Sequence, residues 1–222
     1  MITVRHLSYS LGGRFILYDI ELTLLAGSVS LLQGANGAGK STLLKAMLLP
    51  DLFPDVFLLD GKPLRRYSDC RSFSARSGYL GHEPGLYMDL TALENLNFFL
   101  GLRGLRPAKD SLLLHLEEAG LSGALHLPVR FFSRGMQQRL GFLRLFLSRP
   151  DFLFIDEPLN SLDANGVAFF LSLVKGWQRE DRVALIVSHS EQEIRPLADR
   201  FLFMRSGQLI ADIAKDRYRG AV

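Results

Sequence analysis

Gly34-Ala35-Asn36-Gly37-Ala38-Gly39-Lys40-Ser41-Thr42 is the stretch around which the chain is organised. It fits G-x-x-x-x-G-K-[ST], a phosphate-binding loop between a strand and a helix. Each residue type has a physical reason to be there. Glycines let the backbone take positive φ and close round an anion with no Cβ in the way. Successive N–H groups, and the N-terminus of the following helix, then point at phosphate oxygens. Lys40 reaches toward β- and γ-phosphates, and the Ser41 hydroxyl offers one position on Mg²⁺. The flanks agree. Val29 to Gln33 is a short apolar run, and Leu43, Leu44, Ala46, Met47 and Leu48 form a helix-prone segment. The stretch reads as a nucleotide site.

The 222 residues are 48% hydrophobic and 22% charged, enough for one globular domain with a sizeable core and an inserted subdomain. The net charge of +3 is mild and the basic residues are scattered, so no nucleic-acid partner is expected. Cys70 is the only cysteine, which leaves neither an intrachain disulfide nor a zinc cluster and suits a reducing compartment. The N-terminus runs straight into a strand-like pattern, with no basic segment followed by an apolar one, so no secretory leader is expected. No window approaches about 18 uninterrupted apolar residues, so no membrane span is expected.

Residues 1 to 25 alternate in the manner of antiparallel strands, with Ile20, Leu22 and Leu24 set against Glu21 and Thr23. Gly12-Gly13 and Ala26-Gly27 supply turns. Phe57 to Leu59 and Ser77 to Gly81 are further short strands. The pattern then turns helical. Thr91 and Glu94 have capping-box spacing, Asp110 or Ser111 opens a second helix, and Ser133 caps a third that ends before Pro150. Phe152 to Ile155 and Val183 to Val187 are continuous apolar runs of buried parallel-strand type, with a helix from Ala164 to Trp177 between them. Phe201 to Met204 and Gln208 to Ile210 close the chain as a hairpin. Strand and helix alternate on either side of a helical block, which predicts an α/β sheet interrupted by a helical insertion over 83–149.

The strand that ends at Asp156-Glu157 is the natural partner of a phosphate loop. Asp156 can hold Mg²⁺ directly or through water, and Glu157 can take a proton from a water aligned on the γ-phosphate. Taken together the motifs resemble the ATP-binding-cassette (ABC) ATPases over nearly the whole chain. Asp156-Glu157-Pro158 stand where that family has its carboxylates. Asn160-Ser161-Leu162-Asp163 is similar to its D-loop, His189 to its switch histidine, and Phe132-Ser133-Arg134-Gly135-Met136-Gln137 to its Leu-Ser-Gly-Gly-Gln signature.

The resemblance implies a phosphate-loop NTPase core of RecA type with an N-terminal antiparallel β subdomain. It assigns 1–82 and 150–222 to the catalytic core, and 83–149 to a helical subdomain that carries the signature. It also implies ATP and Mg²⁺, and two domains paired head to tail, as a homodimer or pseudo-dimer. Ser133 and the Gly135 N–H of one domain would contact the γ-phosphate held by the other. His189 would sense that phosphate, and Asp163 would couple the two sites.

Three departures stand out. Arg134 and Met136 replace a glycine and the glutamine of the signature. Leu11 occupies the place of the adenine-stacking aromatic, with Tyr9 and Phe15 as alternatives. His82 takes the place of the Q-loop glutamine. That last change, within Gly81-His82-Glu83-Pro84-Gly85, resembles the haem-exporter ATP-binding subunit of cytochrome c biogenesis, alongside Leu90 to Leu96 and the short chain. The subunit would then dock on a separate membrane permease at the cytoplasmic face of the inner membrane. Leu86-Tyr87-Met88 is either the apolar docking face or local core packing. The alternatives are the ATPase of another small exporter, or a soluble ABC ATPase outside transport.

Overall fold

In a computed structural model, which describes residues 1–179 and 181–219, the alternating N-terminus forms two long antiparallel strands, β1 (Ile2–Leu11) and β2 (Arg14–Leu24). β3 (Ser28–Gln33) then runs through the phosphate loop into α1 (Lys40–Leu48). β4 (Phe57–Leu59), β5 (Lys62–Pro63), α2 (Tyr67–Arg76) and β6 (Ser77–Leu80) follow. The helical block comprises α3 (Ala92–Leu102), α4 (Lys109–Glu118) and α5 (Arg134–Leu147). The chain returns through β7 (Phe152–Asp156), α6 (Ala164–Trp177), β8 (Val183–Val187), the single turn α7 (Glu191–Ile194), β9 (Arg200–Arg205) and β10 (Gln208–Ala214).

Two sheets result. One has four strands in the order β2-β1-β4-β5, and the other six in the order β10-β9-β3-β8-β7-β6. β3, β7, β8 and β9 are parallel, and β10 is antiparallel on the edge. The mixed α/β architecture is the one the sequence predicts. α2 is not foreseen by the apolar pattern, because only Cys70 and Phe73 of its ten residues are buried. Phe73 anchors it, with its ring 4.8 Å from that of Phe152.

The described residues divide into two compact units. The first comprises Met1–Tyr79, Asp151–Glu157 and the residues from Gln178 on. Its core is continuous from Leu17, Ile20 and Leu24 of β2 to Leu43 and Met47 of α1 and to Phe154 and Leu185. The second comprises Leu80–Pro150 and Pro158–Trp177, so it takes in α6 as well as the expected helical block. Leu96, Leu100, Leu112, Leu116, Leu140 and Leu143 fill its core. Phe142 packs against Phe170 with ring centroids 4.9 Å apart. Thr91 and Glu94 form the anticipated capping box at the start of α3, and Ser133 caps α5. α4 begins at Lys109, earlier than Asp110 or Ser111, because the extended Ala108 ends the preceding loop without any side-chain cap.

Candidate functional site

Strand register in the first unit brings the motifs to one edge. Leu32 and Asp156 both lie opposite Val187. Three parallel strands therefore end nearly in a row, and Gly34, Ser188-His189 and Glu157 leave the sheet together at its carboxyl end. Ligands of open α/β sheets gather there.

The phosphate loop is held tightly at its base and stands open at its crest. Gly34 has φ 147°, and a Cβ there would lie 2.2 Å from the Met204 carbonyl oxygen. Gly39, at φ 101°, caps α1, and its Cβ would lie 2.8 Å from the Ile16 carbonyl. Only glycine fits either place. Ala35, Asn36 and Gly37 are exposed, while Lys40 is 7% exposed. Lys40 Nζ donates to the Gly34 carbonyl at 2.6 Å and the Ala35 carbonyl at 3.1 Å. A buried ammonium is thereby kept among loop carbonyls, where phosphate oxygens would meet it.

Asp156 is buried at the end of β7. Burial raises the Tyr79 hydroxyl above its ordinary range, and the neighbouring Asp156 carboxylate adds to the rise. Glu157 takes φ 50°, which turns its side chain off the strand. Its N–H donates to the Val187 carbonyl at 2.9 Å, so the turn stays tied to β8. The His189 N–H donates to Glu157 Oε2 at 3.2 Å. Glu157 Oε1 lies 3.4 Å from His189 Nε2, is shielded, and has no hydrogen-bond partner among the described residues. His189 Nε2 pairs instead with Asn36 Oδ1 at 3.0 Å. A carboxylate oxygen with unused acceptor capacity beside an imidazole and the loop crest can take a proton from a water placed there.

The pairing of Asn36 with His189 joins residues 153 positions apart. No spacing rule could announce it. Gln33 and Glu191 form a second link at this edge, 3.0 Å between Gln33 Nε2 and Glu191 Oε2. The one signal for Gln33 is a polar residue closing an apolar strand just before the loop.

The remaining candidates lie in the second unit. Ser133 is exposed at the N-terminus of α5, where its Oγ accepts from the Met136 N–H at 3.3 Å. A Cβ on Gly135 would lie 3.0 Å from the Ser161 carbonyl, which keeps the signature close to the Asn160–Asp163 segment. Asp163 precedes α6, and its Oδ1 accepts from the Gly166 N–H at 2.8 Å. That carboxylate is thus engaged as a helix cap. His82 and Glu83 are exposed. Leu86 packs on the helical core, whereas Tyr87 and Met88 are 50% and 42% exposed.

The first unit also holds the three residues weighed for adenine stacking. Tyr9 is partly buried with its ring edge-on to Phe53 at 6.2 Å, while Leu11 and Phe15 are exposed.

Among the described residues no group of three or more His, Cys, Asp or Glu is placed to hold a metal ion. The oxygen donors Ser41 and Asp156 suit Mg²⁺, a hard cation that takes one or two protein ligands and completes its shell with phosphate and water. No helix among the described residues is long and apolar enough to cross a membrane.

A family model described as ABC transporter matches residues 17–160. A cytochrome c biogenesis ATP-binding export protein, CcmA, of Xanthomonas campestris pv. campestris (strain 8004) is 35% identical, over 93% of this chain and 94% of its own length. A lantibiotic transport ATP-binding protein, SrtF, of Streptococcus pyogenes is 32% identical over 96% and 90%. A solved ATP binding subunit of an ABC transporter is similar with a TM-score of 0.84 and 26% identity, over 97% of this chain and 90% of that one. A dimeric post-hydrolysis ATP-binding cassette bound to ADP and Pi, MJ0796, has a TM-score of 0.81 at 21% identity over the full length of both chains, a likeness of fold.

Proposed function

Since the chain belongs to the ABC transporter family of ATP-binding, ATP-hydrolysing subunits, we propose that it powers a separate export permease of the haem-exporter type that serves cytochrome c biogenesis. The observation that carries the site reading is the meeting of Glu157, His189 and Asn36 beside the Lys40 loop. The loop N–H groups of Gly34 to Thr42 and Lys40 would grip the β- and γ-phosphates. Ser41 and Asp156 would hold Mg²⁺, which when bound offsets phosphate charge. Glu157 would take the proton of the water that attacks the γ-phosphorus, as the bond to ADP breaks. His189, held by Asn36, would register whether that phosphate is present.

Two copies would share each ATP, as the family resemblance implies and as the dimeric MJ0796 cassette supports. Ser133 and the Gly135 N–H of one copy would face the γ-phosphate of the other. Asp163 would link the two sites, and residues 83–149 would act as the helical subdomain. ATP then favours the closed pair because it makes contacts the open form lacks, and hydrolysis removes them.

The subfamily reading is supported by Gly81-His82-Glu83-Pro84-Gly85 and by the CcmA relative. The SrtF relative favours a second reading, an exporter of another cargo. Exposed Tyr87 and Met88, with Phe98 41% exposed and its ring 4.8 Å from that of Tyr87, support an apolar docking face for the permease. The chain would then lie peripherally on the cytoplasmic face of the membrane. Fractionation tests this. Co-expression with the cytochrome-assembly permease should move the chain to the membrane fraction, and Tyr87→Asp should release it. A chain that stays in the soluble fraction with that permease, yet binds a peptide-export permease, would favour the second reading.

A further inference from the structure

We propose that Glu191 and Tyr218 are positioning residues for His189, together clamping the turn that carries this histidine to the end of β3. This rests on the reading of His189 as the γ-phosphate sensor. Glu191 opens α7, two residues after His189, and each of its carboxylate oxygens has a separate partner. Oε2 accepts from Gln33 Nε2 at 3.0 Å, and Gln33 is the residue before Gly34 of the phosphate loop. Oε1 accepts from the Tyr218 hydroxyl at 2.9 Å.

Tyr218, beyond β10, is the fixed end of the clamp. It is 6% exposed. Its ring stacks on Phe201 of β9 at 3.8 Å with 16° between planes, and the Arg195 guanidinium lies 5.2 Å over its centroid. Burial, then the hydrogen bond to Glu191 and its charge, push the Tyr218 hydroxyl up to about 12. It therefore remains a neutral donor wherever the enzyme works.

Ser188 and Ile194 are buried and anchor the two ends of the turn, while His189 and Ser190 between them rely on polar contacts. α7 is four residues long, too short to sustain a helix unaided. Within the turn the Ser190 N–H donates to Ser188 Oγ at 3.0 Å, and the His189 N–H reaches Glu157 at 3.2 Å. The Glu191 carboxylate ties α7 to β3 on one side and to Tyr218 on the other through charge-assisted hydrogen bonds. His189 Nε2 is thereby kept within 3.0 Å of Asn36. Loosening the clamp would misplace the sensor while leaving the phosphate grip of Lys40 intact.

The test measures ATP hydrolysis by the full chain with saturating Mg·ATP, together with KM and the thermal midpoint. Tyr218→Phe keeps the ring and removes only the hydroxyl. It should lower kcat about fivefold, short of the roughly hundredfold that a 1 Å misplacement of a reacting group costs. KM should stay within about twofold. Glu191→Ala should lose a similar factor, and the double variant no more than either single change, because both break one clamp. Glu191→Gln should retain most activity: an amide oxygen still accepts from Tyr218, and Gln33 can turn its Oε1, which has no partner among the described residues, toward the new N–H. Wild-type kcat in Tyr218→Phe, with His189→Ala impaired, would overturn the clamp and leave the site reading standing. Multiplying losses in the double variant would overturn it too. Full activity in His189→Ala would sink both.

Discussion

Lys40 holds its charge inside the loop through the Gly34 and Ala35 carbonyls, so the countercharge is in position ahead of any phosphate. Lys40→Ala should weaken ATP binding by at least about 2 kcal/mol, the lower range for charge-assisted hydrogen bonds. Titration with a fluorescent ATP analogue would show it as a Kd raised some thirtyfold or more. The loop's two kinds of glycine separate in the same way. Gly37→Ala, at φ 79° with nothing within 4 Å of the new Cβ, should cost about 1–2 kcal/mol of stability. Gly34→Ala adds a backbone collision with Met204 to its unfavourable φ and should cost well over that, about 3 kcal/mol or more. Urea unfolding of the two variants gives the comparison. The phosphate loop is legible from sequence because its residue types and spacing are local. Glu191 and Tyr218 are not, since the contact that gives them meaning spans 27 residues and depends on where β9 places Phe201.

At the scale of elements, what could be read was hydrophobic pattern. Phe152–Asp156 and Val183–Val187 are wholly buried, and the unbroken apolar runs Phe152 to Ile155 and Val183 to Val187 announce parallel central strands. The capping box before α3 is equally plain, because a cap is a matter of four consecutive residues. α2 stays hidden because two buried positions set no period, and tertiary contact with Phe152 decides its place. α6 could be read as a helix, but its clustering with the helical unit could not, since Phe170 meets Phe142 from a distant part of the chain. Phe142 is completely buried. Phe142→Ala should therefore destabilise the second unit by about 3–5 kcal/mol, measurable as an earlier unfolding transition in denaturant.

For the whole molecule, the proposed role is that of an ATPase that drives a separate permease. His82 is exposed, so its replacement should leave the fold alone and act on coupling. His82→Gln should change the ATPase rate of the permease complex by more than about twofold while the basal rate of the free chain stays within that margin. An equal effect on both rates would reduce His82 to a spacer. Whether twin copies close on ATP and part when Glu157 lets water cleave it is decided with Glu157→Gln and Mg·ATP. Light scattering and phosphate release should be followed in the same sample. The expected result is a particle of twice the single-chain mass that appears only with nucleotide, with phosphate release slowed at least about a hundredfold. A variant that remains monomeric and releases phosphate at the wild-type rate would contradict the account.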